Sequence, residues 1–437
     1  MPKVTFIGAG STVFAYEIIT DLLSTPGMET GVFGLVDIDA RRLELAHQIT
    51  ERVVQMSGRK WRVEASTNRL DVLPDTDYLI NTIEVAGLAN VRHDFDIPMK
   101  YGINQCIGDT IGPGGIFKAL RTAPAWLDIL ADTERVAPDA VVLNYTNPMS
   151  ILCLVGTRAT YLPIVGLCHS VQGTSKQLAG YMNIPYEEMK FRCAGINHLA
   201  WFTELTRDGE DLYPLLREKA REKETYERDP VRFEMMLHFG AFVTESSGHF
   251  SEYVPYFRKR PELIEKYCRE GYLGETGFYA NNWPYWRAGS DEKIQRMLSG
   301  EEEITIKRGH EYGSYIIEAI EFNRPTVIYG NVPNTGLIDN LPQDGLVEVA
   351  CLVDRNGVQP AHFGPLPPQL AALDVAHMNV HELVANAILE CDRETAVHAL
   401  MLDPLTAAVL SPAEIRQLFD EMAATEAPYL PDWVQKV

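Results

Sequence analysis

The first half of the chain alternates short apolar runs with segments whose apolar residues recur at helical spacing. The apolar runs lie at 4–8, 32–37, 77–83, 140–146 and 163–168. Residues 13–23 and 38–56 have helical patterns, and the second segment places Leu43, Ala46, Ile49 and Val53 on one face. Apolar strands separated by helices indicate a parallel sheet with helices on both faces. We therefore predict an α/β fold that begins with a Rossmann-like, doubly wound parallel sheet.

The regular alternation ends near residue 190. Residues 194–205 have the pattern of a strand entering a second domain, and 215–229 form a charged helical stretch with a solvated face. Long helices are predicted over 377–401 and 411–425. The sequence thus predicts two domains, a parallel-sheet domain over 1–190 and a mixed α+β domain over 191–437.

The composition is that of a globular protein with a large core. The 437 residues are 46% hydrophobic and 23% charged. The seven cysteines are scattered without a CxxC pair, so neither a disulfide framework nor a zinc ribbon is indicated. No signal peptide and no apolar run of membrane-spanning length is present, so the expected location is cytoplasmic.

The chain is strongly acidic, with a formal net charge of −21. A broad negative field repels nucleic acid and anionic lipid, so we expect neither nucleic acid nor a membrane as partner. The same field argues mildly against a highly anionic substrate, although one local basic pocket would override it. Solubility is the simplest meaning of the charge.

A glycine turn after the first apolar run predicts a dinucleotide site. Gly8 permits a tight turn, and Gly10 lets the backbone approach a pyrophosphate on the following helix N-terminus. Val13 replaces the third glycine of the usual fingerprint. Asp37 ends the second strand, where a carboxylate binds a ribose diol and favours NAD over NADP. The predicted cofactor-binding residues are Gly8, Gly10, Ser11, Thr12, Val13 and Asp37. A turn that binds nothing, with Asp37 capping the next helix, is the alternative.

Three polar segments follow later strands or precede a helix. They are CIGDTIGPGGIFKALRT (106–122), NYTNP (144–148) and CHS (168–170). Ligands bind at the carboxyl ends of strands in open α/β sheets, so these segments are expected to face one crevice. Taken singly, Asn147 reads as a helix N-cap before proline, Cys168 as a small core residue, and His198 in GINHLAW as a core histidine.

In this order, GxGS, GDTxGPGG, NYTNP, CHS and GINHLAW resemble the family 4 glycoside hydrolases. The resemblance covers nearly the whole chain, including NVPNTGLIDNLP (331–342) and the VHELV helix. The form CHSVQGT (168–174) is most similar to the α-galactosidase branch. The branches that act on 6-phosphorylated sugars carry Asp or Asn after the cysteine, so His169 implies an unphosphorylated substrate.

The resemblance implies a redox route to hydrolysis, an exception to paired-carboxylate chemistry. NAD takes hydride from C3 of the sugar, a base removes the acidified C2 proton, and the aglycone is eliminated. Water then adds and the hydride returns, so the cofactor is recycled. A metal, Mn2+ in this family, stabilises the charge that develops at C2–C3.

The resemblance also implies the residue roles. The metal ligands are Cys168 and His198, completed by sugar oxygens, although a thiolate with an imidazole suits Zn2+ or Fe2+ better than Mn2+. His169 is the candidate general acid to the leaving oxygen, or else binds a sugar hydroxyl. Tyr253 is the candidate C2 base, with Tyr256 and His249 as competitors. Asp109 is assigned to the C3 hydroxyl, and Asn147 to the C2 and C3 hydroxyls.

The overall expectation is an α-galactosidase with NAD bound by residues 1–190. Substrate binding, metal binding and assembly into a dimer or tetramer fall to residues 191–437, as in a lactate/malate dehydrogenase-like fold. An α-galacturonidase or α-glucosidase of the same family, a plain NAD-dependent sugar or hydroxy-acid dehydrogenase, and a non-catalytic NAD-binding regulator are the alternatives. His377 and His381 have metal-like spacing but no third ligand nearby in sequence, and are expected to be structural.

Overall fold

The computed structural model describes residues 1–435. Its strands are β1 Lys3–Ile7, β2 Thr30–Val36, β3 Lys60–Ser66, β4 Tyr78–Asn81, β5 Val141–Asn144, β6 Ile164–Leu167, β7 Lys190–Ile196, β8 Leu199–Arg207, β9 Glu210–Asp211, β10 Phe242–Val243, β11 Thr326–Pro333, β12 Leu346–Asp354 and β13 Gly357–Pro360.

The helices of the first half are α1 Thr12–Ser24, α2 Ala40–Ser57, α3 Gly87–Lys100, α4 Gly112–Val136, α5 Met149–Ala159 and α6 Ser170–Met182. Those of the second half are α7 Tyr213–Lys219, α8 Lys223–Glu227, α9 Pro230–Phe239, α10 Ser247–Tyr253, α11 Pro261–Tyr267, α12 Phe278–Ser299, α13 Tyr312–Phe322, α14 Pro368–Glu390, α15 Arg393–Leu402, α16 Pro404–Val409, α17 Pro412–Thr425 and α18 Asp432–Gln435.

One sheet runs through the molecule in the order β10-β8-β7-β12-β11-β6-β5-β4-β1-β2-β3. The six strands from β6 to β3 are parallel and follow the order 3-2-1-4-5-6 of a dinucleotide-binding fold. The strand order reverses between β1 and β4, which places the ligand crevice at the carboxyl ends of these two strands. The predicted α/β fold with a Rossmann-like sheet is therefore confirmed.

The sheet continues past β6 through antiparallel strands of the second half. β11 pairs with β6, β12 with β11, β7 with β12, and β8 with β7. Elements from both halves of the chain therefore lie along one continuous sheet. The division into domains at residue 190 stays a prediction.

The predicted strands and helices of the first half are present, with their ends shifted by one or two residues. The buried face of α2 includes Leu43, Ala46, Ile49 and Val53, as predicted. The single strand predicted over 194–205 is instead part of the hairpin β7–β8, which turns at Asn197 and His198. The helix predicted over 377–401 is broken at Cys391, whose left-handed backbone ends α14.

No helix among residues 1–435 is long and apolar enough to cross a membrane.

Candidate functional site

The turn between β1 and α1 has the geometry of a dinucleotide site. Gly8 has φ +86°, and a Cβ there would lie 2.7 Å from the backbone of Thr82, so only glycine fits. A Cβ at Gly10 would lie 2.5 Å from a carboxylate oxygen of Asp37. The loops that follow β1 and β4 are thus in close contact at the point where the sheet order reverses.

The start of α1 fits an anionic ligand. Ser11 is the N-cap, but its side chain makes no capping hydrogen bond, and the first turn contains no acidic residue. The buried Thr12 hydroxyl has no partner among the described residues. The unpaired N–H groups and the helix dipole therefore favour a pyrophosphate at this end, next to Val13.

Asp37 holds the turn instead of capping the next helix. Its Oδ2 accepts a hydrogen bond from the Gly10 N–H at 2.7 Å, and its Oδ1 accepts one from the Asp39 N–H at 2.9 Å. The α2 cap is Asp39, which accepts from the backbone of Arg41 and Arg42. Each Asp37 oxygen keeps a free lone pair, which fits a ribose diol. The alternative in which Asp37 caps α2 is not observed.

Cys168 and His198 are brought into contact although they are distant in sequence. Cys168 follows β6, and its thiol lies close to the Ser170 hydroxyl and near enough to the His198 ring for the two groups to interact. His198 lies in the β7–β8 turn with φ +63°, and its side chain is buried. Burial opposes ionisation of both groups, but their mutual attraction lowers the pKa of Cys168 to about 7 and raises the pKa of His198 to about 10. The pair thus favours a thiolate, the form that binds metals.

A third and a fourth group lie beside His198. Its Nε2 is 3.5 Å from Glu245 Oε2, and His249 Nδ1 is 3.9 Å from the same oxygen. The ligand atoms of His198, Glu245 and His249 lie within 4.8 Å of one another. Burial raises the pKa of Glu245, but the two histidines lower it below its usual value. These three residues, which we call the metal-type cluster, offer a donor set that fits a divalent cation.

Tyr253 lies at the same cluster. Its hydroxyl is 3.4 Å from His198 Nδ1, and its side chain is buried at the end of α10. Burial, with the charges of Glu245 and Asp109, raises the pKa of the phenol well above its usual value. The phenol therefore needs a nearby cation to become a base.

The two other candidates for the C2 base, Tyr256 and His249, lie in different surroundings. Tyr256 is 38% exposed and packs against Phe239 and Phe257. His249 lies in the cluster, 5.3 Å from Tyr253 between ring centroids. His377 lies behind Tyr253, with its Nε2 2.6 Å from the Tyr253 carbonyl oxygen, and does not belong to the metal-type cluster.

Asp109 belongs to a buried charge network. Its Oδ2 is 3.4 Å from Lys118 Nζ, and Lys118 is 3.0 Å from Glu84. Burial would raise the pKa of Asp109, but Lys118 and His249 lower it below its usual value. An ionised Asp109 is a good hydrogen-bond acceptor and a weak base. The geometry therefore favours binding of a sugar hydroxyl over proton abstraction.

His169 forms a pair with Glu311. Its Nε2 lies 2.9 Å and 3.0 Å from the two carboxylate oxygens. The hydrogen bond that the ring donates to Glu311 raises the pKa of His169, so the ring holds its proton at higher pH than a free histidine. A half-exposed, protonated imidazole next to Cys168 is suited to donate a proton to a leaving group.

Asn147 does not cap a helix. Pro148 is the N-cap of α5, and the Asn147–Pro148 peptide bond is cis. The Asn147 Oδ1 is buried and has no hydrogen-bond partner among residues 1–435. The amide is therefore available to a ligand.

A chain of contacts joins the dinucleotide turn to the metal-type cluster. The loop after β4 touches Gly8 through Thr82 and reaches Lys118 through Glu84. Lys118 contacts Asp109, and the neighbouring Thr110 hydroxyl is 3.1 Å from His249 Nε2. The two sites are therefore parts of one crevice.

Sequence reasoning missed four of these residues, which are Glu84, Lys118, Glu245 and Glu311. One signal was available, because His249 and Tyr253 lie four residues apart on one side of α10, and Glu245 lies four residues before His249, just ahead of this helix. The other three are joined to their partners only by contacts distant in sequence, and no spacing reveals them.

Family models match most of the chain. The family 4 glycosyl hydrolase model matches residues 3–184, and the model of the family 4 glycosyl hydrolase C-terminal domain matches residues 193–406.

Curated relatives match over nearly their whole length. An alpha-galactosidase of Bacillus subtilis (strain 168) is 41% identical over 99% of this chain and 100% of the relative. An alpha-galactosidase of Rhizobium meliloti (strain 1021) is 34% identical over 100% of this chain and 90% of the relative. An alpha-galacturonidase of Bacillus subtilis (strain 168) is 32% identical over 96% of both.

Solved structures share the fold. The lplD structure from Bacillus subtilis superposes with a TM-score of 0.85 at 29% identity, covering 97% of this chain and 99% of lplD. A 6-phospho-alpha-glucosidase from gut microorganisms, in complex with NAD and Mn2+, gives 0.81 at 21% identity, covering 98% and 99%. Malate dehydrogenase of Plasmodium falciparum gives 0.51 at 12% identity, covering 92% and 100%. The predicted likeness to the malate dehydrogenase fold is confirmed.

Proposed function

Because this chain belongs to family 4 of the glycosyl hydrolases, we propose that it is an NAD- and Mn2+-dependent α-galactosidase. The observation that carries the proposal is the contact chain from the dinucleotide turn at Gly8 to the metal-type cluster at His198. A plain hydrolase has no use for a dinucleotide beside a metal. The full-length similarity to two alpha-galactosidases supports the choice of sugar.

The residues present fit both cofactors. NAD would be held by the turn Gly8–Val13 and by Asp37, and it supplies a hydride acceptor and donor at sugar C3. The metal would be held by Cys168 and His198, and it supplies Lewis-acid stabilisation of negative charge at C2 and C3. The unpartnered Thr12 hydroxyl and the close approach of Cys168 to His198 are the observations behind this fit.

The protein side chains supply proton transfers and orientation. We assign removal of the C2 proton to Tyr253, whose hydroxyl lies beside His198. His169, held by Glu311, donates a proton to the leaving oxygen. Asn147 offers its unpartnered amide oxygen to the C2 and C3 hydroxyls, and Asp109 accepts a hydrogen bond from the C3 hydroxyl.

The proposed substrate is an unphosphorylated α-galactoside. His169, which is half exposed and paired with the nearly buried Glu311, occupies the position after the metal cysteine, and a sugar phosphate would meet the Glu311 carboxylate there. We also propose a cytoplasmic location and a homo-oligomeric state, a dimer or tetramer, by analogy with the family. Light scattering of the purified protein tests the oligomeric state.

The test uses protein freed of cofactor and metal by dialysis against a chelator. It should cleave nitrophenyl α-galactoside only when both NAD and Mn2+ are returned, with no accumulation of NADH. A dehydrogenase would produce NADH in proportion to substrate, and a binding regulator would turn over nothing. Full activity without NAD would contradict the proposal.

A panel of substrates tests the sugar. Nitrophenyl α-galactoside should be cleaved faster than the α-glucoside, the α-galacturonide and the β-galactoside at equal concentration. A preference for the α-galacturonide would reassign the chain to the galacturonidase alternative, while leaving the cofactor chemistry unchanged.

A further inference from the structure

The cluster around Glu245 has distances that protein hydrogen bonds do not explain. Glu245 Oε2 lies 3.5 Å from His198 Nε2 and 3.9 Å from His249 Nδ1. An N–H···O hydrogen bond spans about 2.7–3.2 Å. Two ligands of one ion, each at about 2.0–2.2 Å, lie roughly 3–4 Å apart when they are not opposite each other. The observed spacing is that of ion-pair contacts and also falls within the range expected for ligands of one cation.

The second nitrogen of each imidazole faces a hydroxyl group, closely in His249 and at a longer distance in His198. His198 Nδ1 is 3.4 Å from the Tyr253 hydroxyl, and His249 Nε2 is 3.1 Å from the Thr110 hydroxyl. Thr110 in turn donates to Asp109 at 2.8 Å. Metal-binding histidines show this arrangement, in which one nitrogen binds the ion and the other is held by an outer partner. Each ring is thus oriented with its remaining nitrogen toward Glu245.

We infer that Glu245 and His249 are metal ligands that act together with His198. The inference rests on the proposed function, because it concerns the metal of the same site. It adds two protein ligands to the pair Cys168 and His198 that the family resemblance supplies.

The larger donor set changes the chemistry of the site. A thiolate with one imidazole is a soft pair, better suited to Zn2+ than to Mn2+. Two imidazoles with one carboxylate form the 2-His-1-carboxylate set that holds divalent iron with positions left open for other ligands. A carboxylate oxygen makes the site harder and balances one positive charge of the ion. The choice of Mn2+ is then explained by Glu245, which sequence reasoning did not identify.

The additional ligands also place the metal next to the proposed base. Tyr253 and His249 lie one helical turn apart on α10, and Tyr253 contacts His198. A cation bound between these histidines would lie beside the Tyr253 hydroxyl and would favour its ionised form.

Direct metal binding tests the inference without any substrate. Chelator-treated protein is titrated with Mn2+ by calorimetry, and with Co2+ by visible absorption. The wild type should bind one ion, and Glu245→Gln and His249→Ala should each weaken Mn2+ binding at least about tenfold. His238→Ala is the matched control, because His238 also sits four residues after a glutamate but is exposed. It should bind Mn2+ as the wild type does.

The milder variants Glu245→Asp and His249→Gln guard against misfolding, and circular dichroism of each metal-free variant checks the fold. Folded Glu245 and His249 variants that bind Mn2+ with wild-type affinity would overturn the inference. If Cys168→Ser and His198→Ala then lose binding, the proposed function stands with the simpler Cys–His site. A wild type that binds no ion would refute both proposals.

Discussion

At the scale of single residues, His169 is the group whose role is most open to a direct test. It is paired with Glu311, an acid 142 residues away, and the hydrogen bond to that acid raises the pKa of the ring. General acids contribute most when the leaving group is a poor one. The carboxylate therefore favours the protonated form of the histidine, which is the form that the proposed general acid requires.

We predict that His169→Asn slows cleavage of phenyl α-galactoside by about 100-fold or more, the usual contribution of a general acid. Cleavage of the nitrophenyl or thiophenyl galactoside, which needs little protonation of the leaving atom, should fall much less. The steady-state rates of the three substrates provide the measurement. An equal loss on all three would assign His169 to hydroxyl binding instead.

His381 carries a second prediction, which concerns stability. It is buried in α14, and burial lowers its pKa to about 3. The unfolded histidine binds a proton below about pH 6.5, whereas the folded one stays neutral until about pH 3. Its folded pKa is depressed, so stability is lost as the pH falls through this window, by about 1.4 kcal/mol per unit below pH 6.5.

Replacement of His381 by Leu should reduce that pH dependence. Between pH 6.5 and 4.5 the free energy of unfolding should fall by about 2 kcal/mol less in the variant than in the wild type. Urea unfolding at several pH values measures this difference. The exposed His238→Leu change is the control and should leave the slope unaltered. A variant with the wild-type slope would show that His381 titrates normally.

At the scale of elements, the loop before α4 is held by one buried carboxylate. Glu252, next to Tyr253, accepts hydrogen bonds from the backbone N–H groups of Cys106, Ile107 and Gly108 and from the side chain of Gln105. This set of hydrogen bonds to Glu252, which we call the Glu252 clamp, connects α10, which carries the proposed base, to the loop that carries Asp109. Backbone donors buried without an acceptor cost about 1–3 kcal/mol each.

Glu252→Gln should therefore lower the melting temperature by several degrees and weaken substrate binding. A glutamine offers one acceptor oxygen where the carboxylate offers two, so at least one loop N–H loses its partner. Thermal denaturation and the KM for nitrophenyl α-galactoside measure the two effects. The exposed Glu262→Gln on α11 is the control. An unchanged melting temperature and KM would show that the hydrogen bonds of Glu252 neither stabilise the fold nor support substrate binding.

The elements that the sequence predicts best are those with local signals. β1, β2, β4, β5 and β6 are continuous apolar runs, and α2 has a clear amphipathic face. β3 was not predicted because Lys60, Arg62 and Glu64 interrupt any continuous apolar run, although their alternation with apolar residues is the pattern of an edge strand with one exposed face. The β7–β8 turn was missed because His198 adopts a left-handed backbone without a glycine or proline to mark it.

The residues of the candidate site also divide into those that have a local sequence signal and those that have none. The glycine turn and the order of the motifs are local features, so the dinucleotide residues and the Cys168–His198 pair could be named from sequence and resemblance. Glu311 and Lys118 could not be named from sequence, because their partners come from other elements. No local pattern distinguishes these two residues from the other acids and lysines of the chain. The sequence pattern at Asn147 is that of a helix N-cap, whereas in the structure the N-cap of α5 is Pro148.

At the scale of the whole molecule, the continuous sheet explains how one crevice serves two kinds of chemistry. The parallel half supplies the dinucleotide turn and Cys168, and the antiparallel half supplies His198 from the β7–β8 turn. Glu245, His249 and Tyr253 come from the segment that follows β10. The residues proposed for redox chemistry and for proton transfer are therefore carried by different strands of a single sheet.

This arrangement predicts exchange at a carbon that ordinary hydrolysis never touches. Direct displacement at the anomeric carbon leaves the C2–H bond intact, whereas elimination requires Tyr253 to remove that proton and solvent to replace it. Galactose released in heavy water should therefore carry deuterium at C2, and Tyr253→Phe should lose both the exchange and the cleavage while still binding Mn2+. Proton NMR of the product after complete turnover measures the C2 signal. A full-intensity C2 proton would rule out elimination, and wild-type exchange in Tyr253→Phe would assign the base to His249 or another neighbour.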